Sequence, residues 1–416
     1  MSRKPTLHVP HTPARPGEDP DFSYVQISEA GAVERPEINT RVRDMVHLSE
    51  DMVRVLDEQH KGNGPWNPHL DEHDLQVGLR HMLLTRLFDE RMVRMQRQGR
   101  ISFYMQSLGE EAISVAAAQA LAPSDMLFPH YRTQGLQIAR GRNPVDLMCQ
   151  CLSNSRDMCK GRQMPIMYHW ARGNIFSVSG NLTVQYPHAV GWAMAAAIKG
   201  EDDVAAAWIG EGSTAEADFH HAMTFAAVYQ APVILNVINN QWAISTFQGF
   251  AGGERRTFAA RGPGYGIASI RVDGNDFLAV YAVTRWAAER ARRGHGPTLI
   301  EHVTYRVGAH STSDDPSRYR PRDEAKAWPL GDPVERLKQH MIVEGMWSDE
   351  RHDKLIDELR DYVTECWEEA CSYGTMTEGP FLDRNELFED VYKDMPKHLI
   401  EQRERLRALD ADWDGE

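Results

Sequence analysis

The chain has 416 residues, with 46 Lys and Arg against 60 Asp and Glu, for a formal net charge of −14. That length is ample for one large α/β domain with appendages, and that charge argues against a nucleic-acid-binding surface. No run approaches a membrane span, since Ala189 to Ile198 is apolar but short and full of small residues.

Residues 1–45 open on the basic MSRKP with no apolar stretch behind it, so no signal peptide is expected. The segment is rich in Pro, Gly and charge, has no helical period, and reads as an extended arm lying on something else. Residues 46–332 read as an α/β domain. Helical patterns begin near Ser49 and again at Asp71, where a long helix runs toward Arg97. From about residue 100 to 325 short apolar strands alternate with helices, the signature of a parallel sheet flanked by helices. Cys149, Cys151 and Cys159, with Cys366 and Cys371 further on, lack metal-ligand spacing, and the first two read as core packing. A soluble, cytoplasmic protein with no membrane partner is expected. Ser269 to Val272 and Leu299 to Tyr305 read as strands, and between them Asn275 is predicted to cap a helix reaching Gly294. After Pro333 the composition shifts to charged helices without strand signals, so residues 333–416 read as a helical region ending in a solvated tail.

The most informative stretch is GEGSTAEADFHHAMTFAAVYQAPVILNVINN, from Gly210 to Asn240. Val204 to Ile209 before it is a buried strand entering a tight loop. Ser213 followed by Glu216 is a capping-box pattern, which predicts a helix start there. Phe219, Ala222, Met223, Ala226 and Ala227 share one helical face, Ala231-Pro232 ends the helix, and Val233 to Ile238 is a second buried strand. Such a crossover makes the two strands parallel and right-handed, so Glu211 and Asn240 converge outside the same sheet edge, where open α/β sheets bind ligands. A carboxylate and an amide carbonyl beside a helix start suit magnesium shared with a phosphate, and the free N–H groups at Gly212 and Ser213 suit the phosphate itself. Either half alone is also a common structural turn.

With this unit in place, the chain resembles the thiamine-diphosphate enzymes, whose signature is G-D-G, some two dozen residues, then N-N. Glu211 stands where most of that family has Asp, a variant similar to the α subunits of branched-chain 2-oxo acid (2-oxoisovalerate) dehydrogenase decarboxylating components. ISFYMQSLGEEA (101–112), FPHYR (128–132), KGRQMP (160–165), the SGNLTVQYPHAVG run (179–191) and TYRVGAHSTSDDPSRYR (304–320) point the same way. The similarity spans roughly residues 75–330, and the first 45 and last 80 residues add little to it.

The resemblance implies a thiamine-diphosphate-binding fold, with Glu211, Asn240 and the carbonyl of Trp242 as magnesium ligands. It implies Tyr131 and Arg132 on the diphosphate, a guanidinium fork matching phosphate oxygens, with Gly212 and Ser213 lining it through main-chain N–H groups. Gly180 and Leu182, on the SGNL loop, would meet the aminopyrimidine end. Ser179 and Gln185 match a loop that holds potassium in relatives; Val184 stands where a Thr is common, but carbonyls could still serve. His310, in a polar loop after a strand, is expected at the cofactor as the proton-handling catalytic residue, with Asp314 and Arg306 ordering the loop. Ser311 matches a position phosphorylated in animal relatives. The glutamate that works on the aminopyrimidine ring cannot be placed in this chain, so the resemblance implies a separate β subunit, an α2β2 heterotetramer, and docking on a dihydrolipoyl acyltransferase core with its lipoyl domain. The arm is a candidate for clasping the partner. Competing readings are a pyruvate or acetoin dehydrogenase α subunit, a non-catalytic scaffold of the same fold, and a magnesium-dependent phosphohydrolase, which would need a strand-end nucleophilic Asp that is not found.

Overall fold

The structure, a computed structural model, describes residues 7–413. Its strands are β1 (Met52–Val53), β2 (Met126–Phe128), β3 (Ala205–Gly210), β4 (Val233–Asn239), β5 (Trp242–Ala243), β6 (Thr246–Phe247), β7 (Ala268–Asp273) and β8 (Thr298–Val303). Its helices are α1 (Glu72–Arg97), α2 (Glu111–Ala120), α3 (Gln134–Ala139), α4 (Pro144–Leu152), α5 (Gln185–Lys199), α6 (Ala217–Tyr229), α7 (Gly262–Tyr265), α8 (Phe277–Arg292), α9 (Pro333–Val343), α10 (Asp349–Ser372) and α11 (Lys397–Trp413). Six strands pair in the order β1-β7-β8-β4-β3-β2, every pair parallel, while β5 and β6 form a small antiparallel ribbon.

Helices cover both faces of the sheet, so its strands are buried on both sides and largely apolar. Period-two alternation sorts β3 between two cores. Ala206 and Trp208 join a core built from α1, α2, α8 and α10. Ala205, Ala207 and Ile209 face α5 and α6 through Tyr186, Ala193, Phe219 and Met223. Helix α10, after the last strand, adds Leu355, Leu359, Val363, Cys366 and Ala370 to the first core, at helical spacing along one face. Asn154 after α4 ties into it by donating from Nδ2 to the Ala370 carbonyl at 2.8 Å.

The long helix starts where its sequence places it, with Asp71 accepting from the Asp74 N–H at 2.9 Å. Three other starts differ. Ser213 caps no α-helix; it lies inside a 3-10 turn, Glu211–Ala215, and α6 begins behind an extended Glu216. The residue before α8 is Asp276, not Asn275, and its carboxylate accepts from Ala279 N at 3.1 Å and from the N–H groups of Val55 and Leu56. The helical pattern near Ser49 is a 3-10 turn, Val46–Ser49, that leads into the edge strand β1.

Residues 7–45 lie on their own chain. Phe22 packs edge-on against Trp328 (5.1 Å) and Tyr305 (5.8 Å), and Tyr24 against Phe247 (5.2 Å), at the C-terminal edge of the sheet. Further on, Arg271 Nη1 donates to the Gln26 carbonyl (2.7 Å), Trp286 Nε1 to Pro36 (2.8 Å), and Arg290 Nη1 to Thr40 (3.0 Å) and Ile38.

Candidate active site

The site is built where β3 and β4 end. Gly210 pairs with Ile238 in register, so Glu211, one residue past the former, and Asn240, two past the latter, leave the same sheet edge together. Glu211 is only 1% exposed, its Oε1 has no hydrogen-bond partner, and burial pushes its pKa up to about 7 against the pull of Arg306 and Arg132. An unpaired carboxylate oxygen at that depth is costly unless something positive meets it. Asn240 donates from Nδ2 to Glu110 Oε1 at 2.8 Å, and its Oδ1 accepts from Trp242 N at 3.3 Å. The Trp242 carbonyl accepts from Arg306 Nη1 at 2.7 Å, which leaves it a second lone pair.

Gly212 is where the Glu211 turn touches the β5 ribbon: a Cβ there would stand 2.5 Å from Ala243 Cβ. Ser213 accepts through its carbonyl from Thr183 Oγ1 at 2.8 Å, which ties the 179–185 loop to the same turn. Gly180 and Leu182 stand on that loop at the open rim, with Leu182 47% exposed. Gln185 donates from Nε2 to the Trp208 carbonyl at 2.8 Å, and its Oε1 is buried without a partner.

Arg132 is 1% exposed. Its Nη1 donates to the Gln106 carbonyl (2.6 Å), its Nη2 to the His310 carbonyl (2.9 Å), and Nη2 stands 3.4 Å from His310 Nδ1. The half-buried Tyr131 ring lies 5.5 Å from the guanidinium and 6.0 Å from the His310 ring. Burial, with Arg132 and Arg306 nearby, pushes the His310 pKa down to about 3, so the imidazole is neutral at physiological pH. Because Arg132 offers only donors toward Nδ1, the ring proton belongs on Nε2. Asp314 holds the backbone of His310 and not its ring: Oδ2 accepts from His310 N (2.8 Å) and Tyr319 OH (2.6 Å). Tyr319 OH in turn accepts from Arg306 Nη2 at 2.7 Å. Ser311 is 9% exposed, its Oγ accepting from Ser313 N.

The structure therefore gathers Glu211, Asn240, Trp242, Tyr131, Arg132 and His310 through shared partners, with Gly212 and Ser213 beside them and Gly180 and Leu182 at the rim. Sequence reasoning missed Glu110 and His130. Glu110 is fully enclosed, its Oε2 unpartnered and its pKa pushed up to about 7 by burial. His130, its ring centroid 3.7 Å from that of Tyr131, has a buried Nδ1 without a partner and a pKa driven well down by burial. The signal was present in SLGEEA and FPHYR, but two acids before a helix also read as helix-start charge. Glu111 does sit in the first turn of α2, accepting from Arg86 Nε at 2.8 Å. Among the described residues no three His, Cys, Asp or Glu gather as a metal cluster, so a cation here depends on one carboxylate plus amide and main-chain oxygens.

Comparison with known proteins is consistent with this geometry. A family profile described as "Dehydrogenase E1 component" matches residues 79–378, and one described as "2-oxoisovalerate dehydrogenase E1 alpha subunit N terminal" matches residues 3–42. The likeness thus reaches well past residue 330 and into the arm, both of which the motif reading had set aside. The chain is 56% identical over 400 residues to a Pseudomonas aeruginosa 2-oxoisovalerate dehydrogenase subunit alpha, covering 96% of this chain and 98% of that protein. It is 42% identical to the mitochondrial subunit alpha of Dictyostelium discoideum (82% of this chain, 76% of that protein) and 41% to that of Homo sapiens (85% and 79%).

Proposed function

The chain belongs to the dehydrogenase E1 component family, and from that premise we propose that it is the α subunit of a thiamine-diphosphate-dependent branched-chain 2-oxo acid dehydrogenase. The reaction is that of a 3-methyl-2-oxobutanoate dehydrogenase (2-methylpropanoyl-transferring, EC 1.2.4.4): oxidative decarboxylation of the 2-oxo acid and reductive acylation of a lipoyl group, in valine, leucine and isoleucine breakdown. The observation that carries the reading is the unpartnered Oε1 of Glu211, buried beside Asn240 at the ends of two parallel strands. Magnesium fits it, because that ion takes few protein ligands and shares the rest with phosphate.

Thiamine diphosphate supplies the electron sink for the decarboxylation. Glu211, Asn240 and the Trp242 carbonyl hold the magnesium. Arg132, with unused N–H groups beyond its two carbonyl bonds, and Tyr131 take the diphosphate, joined by the main-chain N–H groups of Gly212 and Ser213. Gly180 and Leu182 prop the aminopyrimidine end. In the 179–185 loop the buried free Oε1 of Gln185, with Ser179, suits potassium, although Val184 brings no hydroxyl. His310 presents Nε2–H as a hydrogen-bond donor, and its Nδ1 can take a proton once Arg132 Nη2, 3.4 Å away, turns from it to the diphosphate. It thereby serves acyl transfer to the lipoyl group.

Glu110 sits at the Asn240 and Arg132 end, not beside Leu182, so it does not fill the place of the aminopyrimidine glutamate. A β subunit supplies that group in an α2β2 assembly, which docks on the dihydrolipoyl acyltransferase core. The open rim at Gly180 and Leu182 supports this, as do the exposed Ile198, Phe225, Val228 and Tyr229 on α5 and α6. We place the assembly in the cytoplasm: all five cysteines are free thiols and no described helix is long and apolar enough to cross a membrane.

The test is Glu211→Gln in the complex with the β subunit, read by calorimetric titration of thiamine diphosphate with and without magnesium. The variant keeps volume and removes the ligand charge, so binding should lose its magnesium dependence while the circular dichroism stays unchanged. Near-normal affinity with the magnesium response intact would refute the assignment.

A further inference from the structure

Glu110 is buried at the site, yet the ligand set above gives it nothing to do. It precedes α2 on a stretch of backbone pinned from several sides. Gly109 N donates to Glu111 Oε2 at 2.9 Å, and the Gly109 carbonyl accepts from Thr304 Oγ1 at 2.9 Å. Gly109 itself has φ +96°, and a Cβ on it would come within 2.5 Å of the Tyr305 carbonyl. The loop carrying Glu110 is thus held against the end of β8.

Glu110 Oε1 accepts from Asn240 Nδ2 at 2.8 Å and lies 3.6 Å from Arg132 Nε. The two ends of an asparagine amide are nearly alike in shape and opposite in chemistry. Turned one way, Asn240 offers a cation its carbonyl oxygen; turned the other, it offers an NH2 group that repels one. An ionised carboxylate only accepts, and in the structure Glu110 Oε1 meets the NH2 end, so the carbonyl is directed away from it. In the structure the hydrogen-bond partner of that carbonyl is Trp242 N, at a long 3.3 Å, which leaves it available. We infer that Glu110 is a positioning residue that locks the Asn240 amide with its carbonyl oxygen toward the cation shared with Glu211. This rests on the cation-site reading above. Its alternative is that Glu110 is only a counter-charge for Arg132.

Outer partners of metal ligands typically account for about 10–100-fold in metal affinity, which sets the expected scale. The experiment uses the full chain in complex with its β subunit and reads, by calorimetry and without turnover, the magnesium concentration that half-saturates thiamine diphosphate binding. Glu110→Met keeps the volume and removes the strong acceptor, and it should raise that concentration about 10–100-fold. Glu110→Gln loses the charge but can still accept from Asn240, so it should stay within about 3-fold of the unmodified complex. In an Asn240→Asp background, which has no N–H to hold, removing Glu110 should add no further loss. Glu110→Ala stands in if the methionine variant does not fold. Wild-type half-saturation in the variant lacking the acceptor would overturn the inference. So would a glutamine variant as impaired as the methionine one, since that pattern reports charge beside Arg132. A failure of the cation site itself would show separately, as magnesium-independent binding in the unmodified complex.

Discussion

Replacing Gly212 by alanine tests how closely the two halves of the proposed cation site are fitted. The new Cβ would stand 2.5 Å from Ala243 Cβ and 3.8 Å from Ala243 Cα, whereas carbons rest about 3.5–4.0 Å apart. Gly212 does not occupy the left-handed region, so an alanine backbone is unstrained there and the whole cost is steric. Relieving it requires the Glu211 turn and the β5 ribbon to part by about 1 Å. That movement draws the Glu211 carboxylate away from the carbonyl of Trp242, which neighbours Ala243. Overpacking of this size costs about 1–3 kcal/mol, so Gly212→Ala should lower the thermal midpoint by a few degrees. Magnesium-dependent thiamine diphosphate binding should fall more than the midpoint implies, because the strain is concentrated between ligands. Scanning fluorimetry reads the first and calorimetry the second. Ala243→Gly removes the methyl that is struck, so the double variant should recover most of both losses. A single variant with wild-type stability and metal response would refute the reasoning, as would a double variant no better than the single.

His310→Ala should separate two half-reactions: decarboxylation with an artificial electron acceptor should survive better than transfer to the lipoyl domain, whose loss is expected at about 10²–10⁴-fold. Equal losses in both assays would assign His310 to cofactor binding instead. His302 is fully buried, faces Asn236 Oδ1 at 2.9 Å through Nε2, and has its pKa pushed down to about 3 by burial. The stability it contributes is present above about pH 6.5, its unfolded value, and is lost as pH falls from there toward 3. From pH 7.5 to 5.5 that loss is about 1.4 kcal/mol, so His302→Gln should show a shallower fall in urea stability over that interval, and an unchanged slope would contradict the burial argument. Purified without its β subunit, the chain should neither turn over a 2-oxo acid nor stay monodisperse, and co-expression should restore both; robust turnover by a monomer would overturn the shared-site reading.

The crossover from Gly210 to Asn240 was legible because two buried strands and one apolar helix face each carry their own period. Asp71 was legible because its carboxylate does what an exposed cap does. What escaped was decided by tertiary partners. Ser213 and Glu216 have capping-box spacing, but the chain takes a tighter turn there, with Thr214 Oγ1 bonding back to the Glu211 carbonyl at 2.6 Å. Asn275 lost the cap to Asp276, whose second oxygen also serves two N–H groups over 200 residues away. The two-residue β1 is too short for any period to show, and its pairing depends on β7. Tyr131, Arg132 and His310 were located by motif likeness, whereas Glu110 matters through a bond to Asn240, 130 positions along the chain. No local pattern records a bond of that kind.

The N-terminal arm holds to the body largely through its own peptide carbonyls: those of Gln26, Pro36, Ile38 and Thr40 accept from the buried Arg271, Trp286 and Arg290. Any amino acid brings a carbonyl, so these bonds fix the path of the backbone and not the side chains, apart from Ile38, which also packs against the first core. Shortening the arm is a different matter. Removal of residues before Phe22 leaves these acceptors in place, whereas a cut beyond Thr40 removes all four at once, leaving Arg271 only the Glu50 carbonyl at 3.3 Å and costing about 0.5–1.5 kcal/mol for each bond lost. Progressive deletion from that end should therefore meet a cliff instead of a slope.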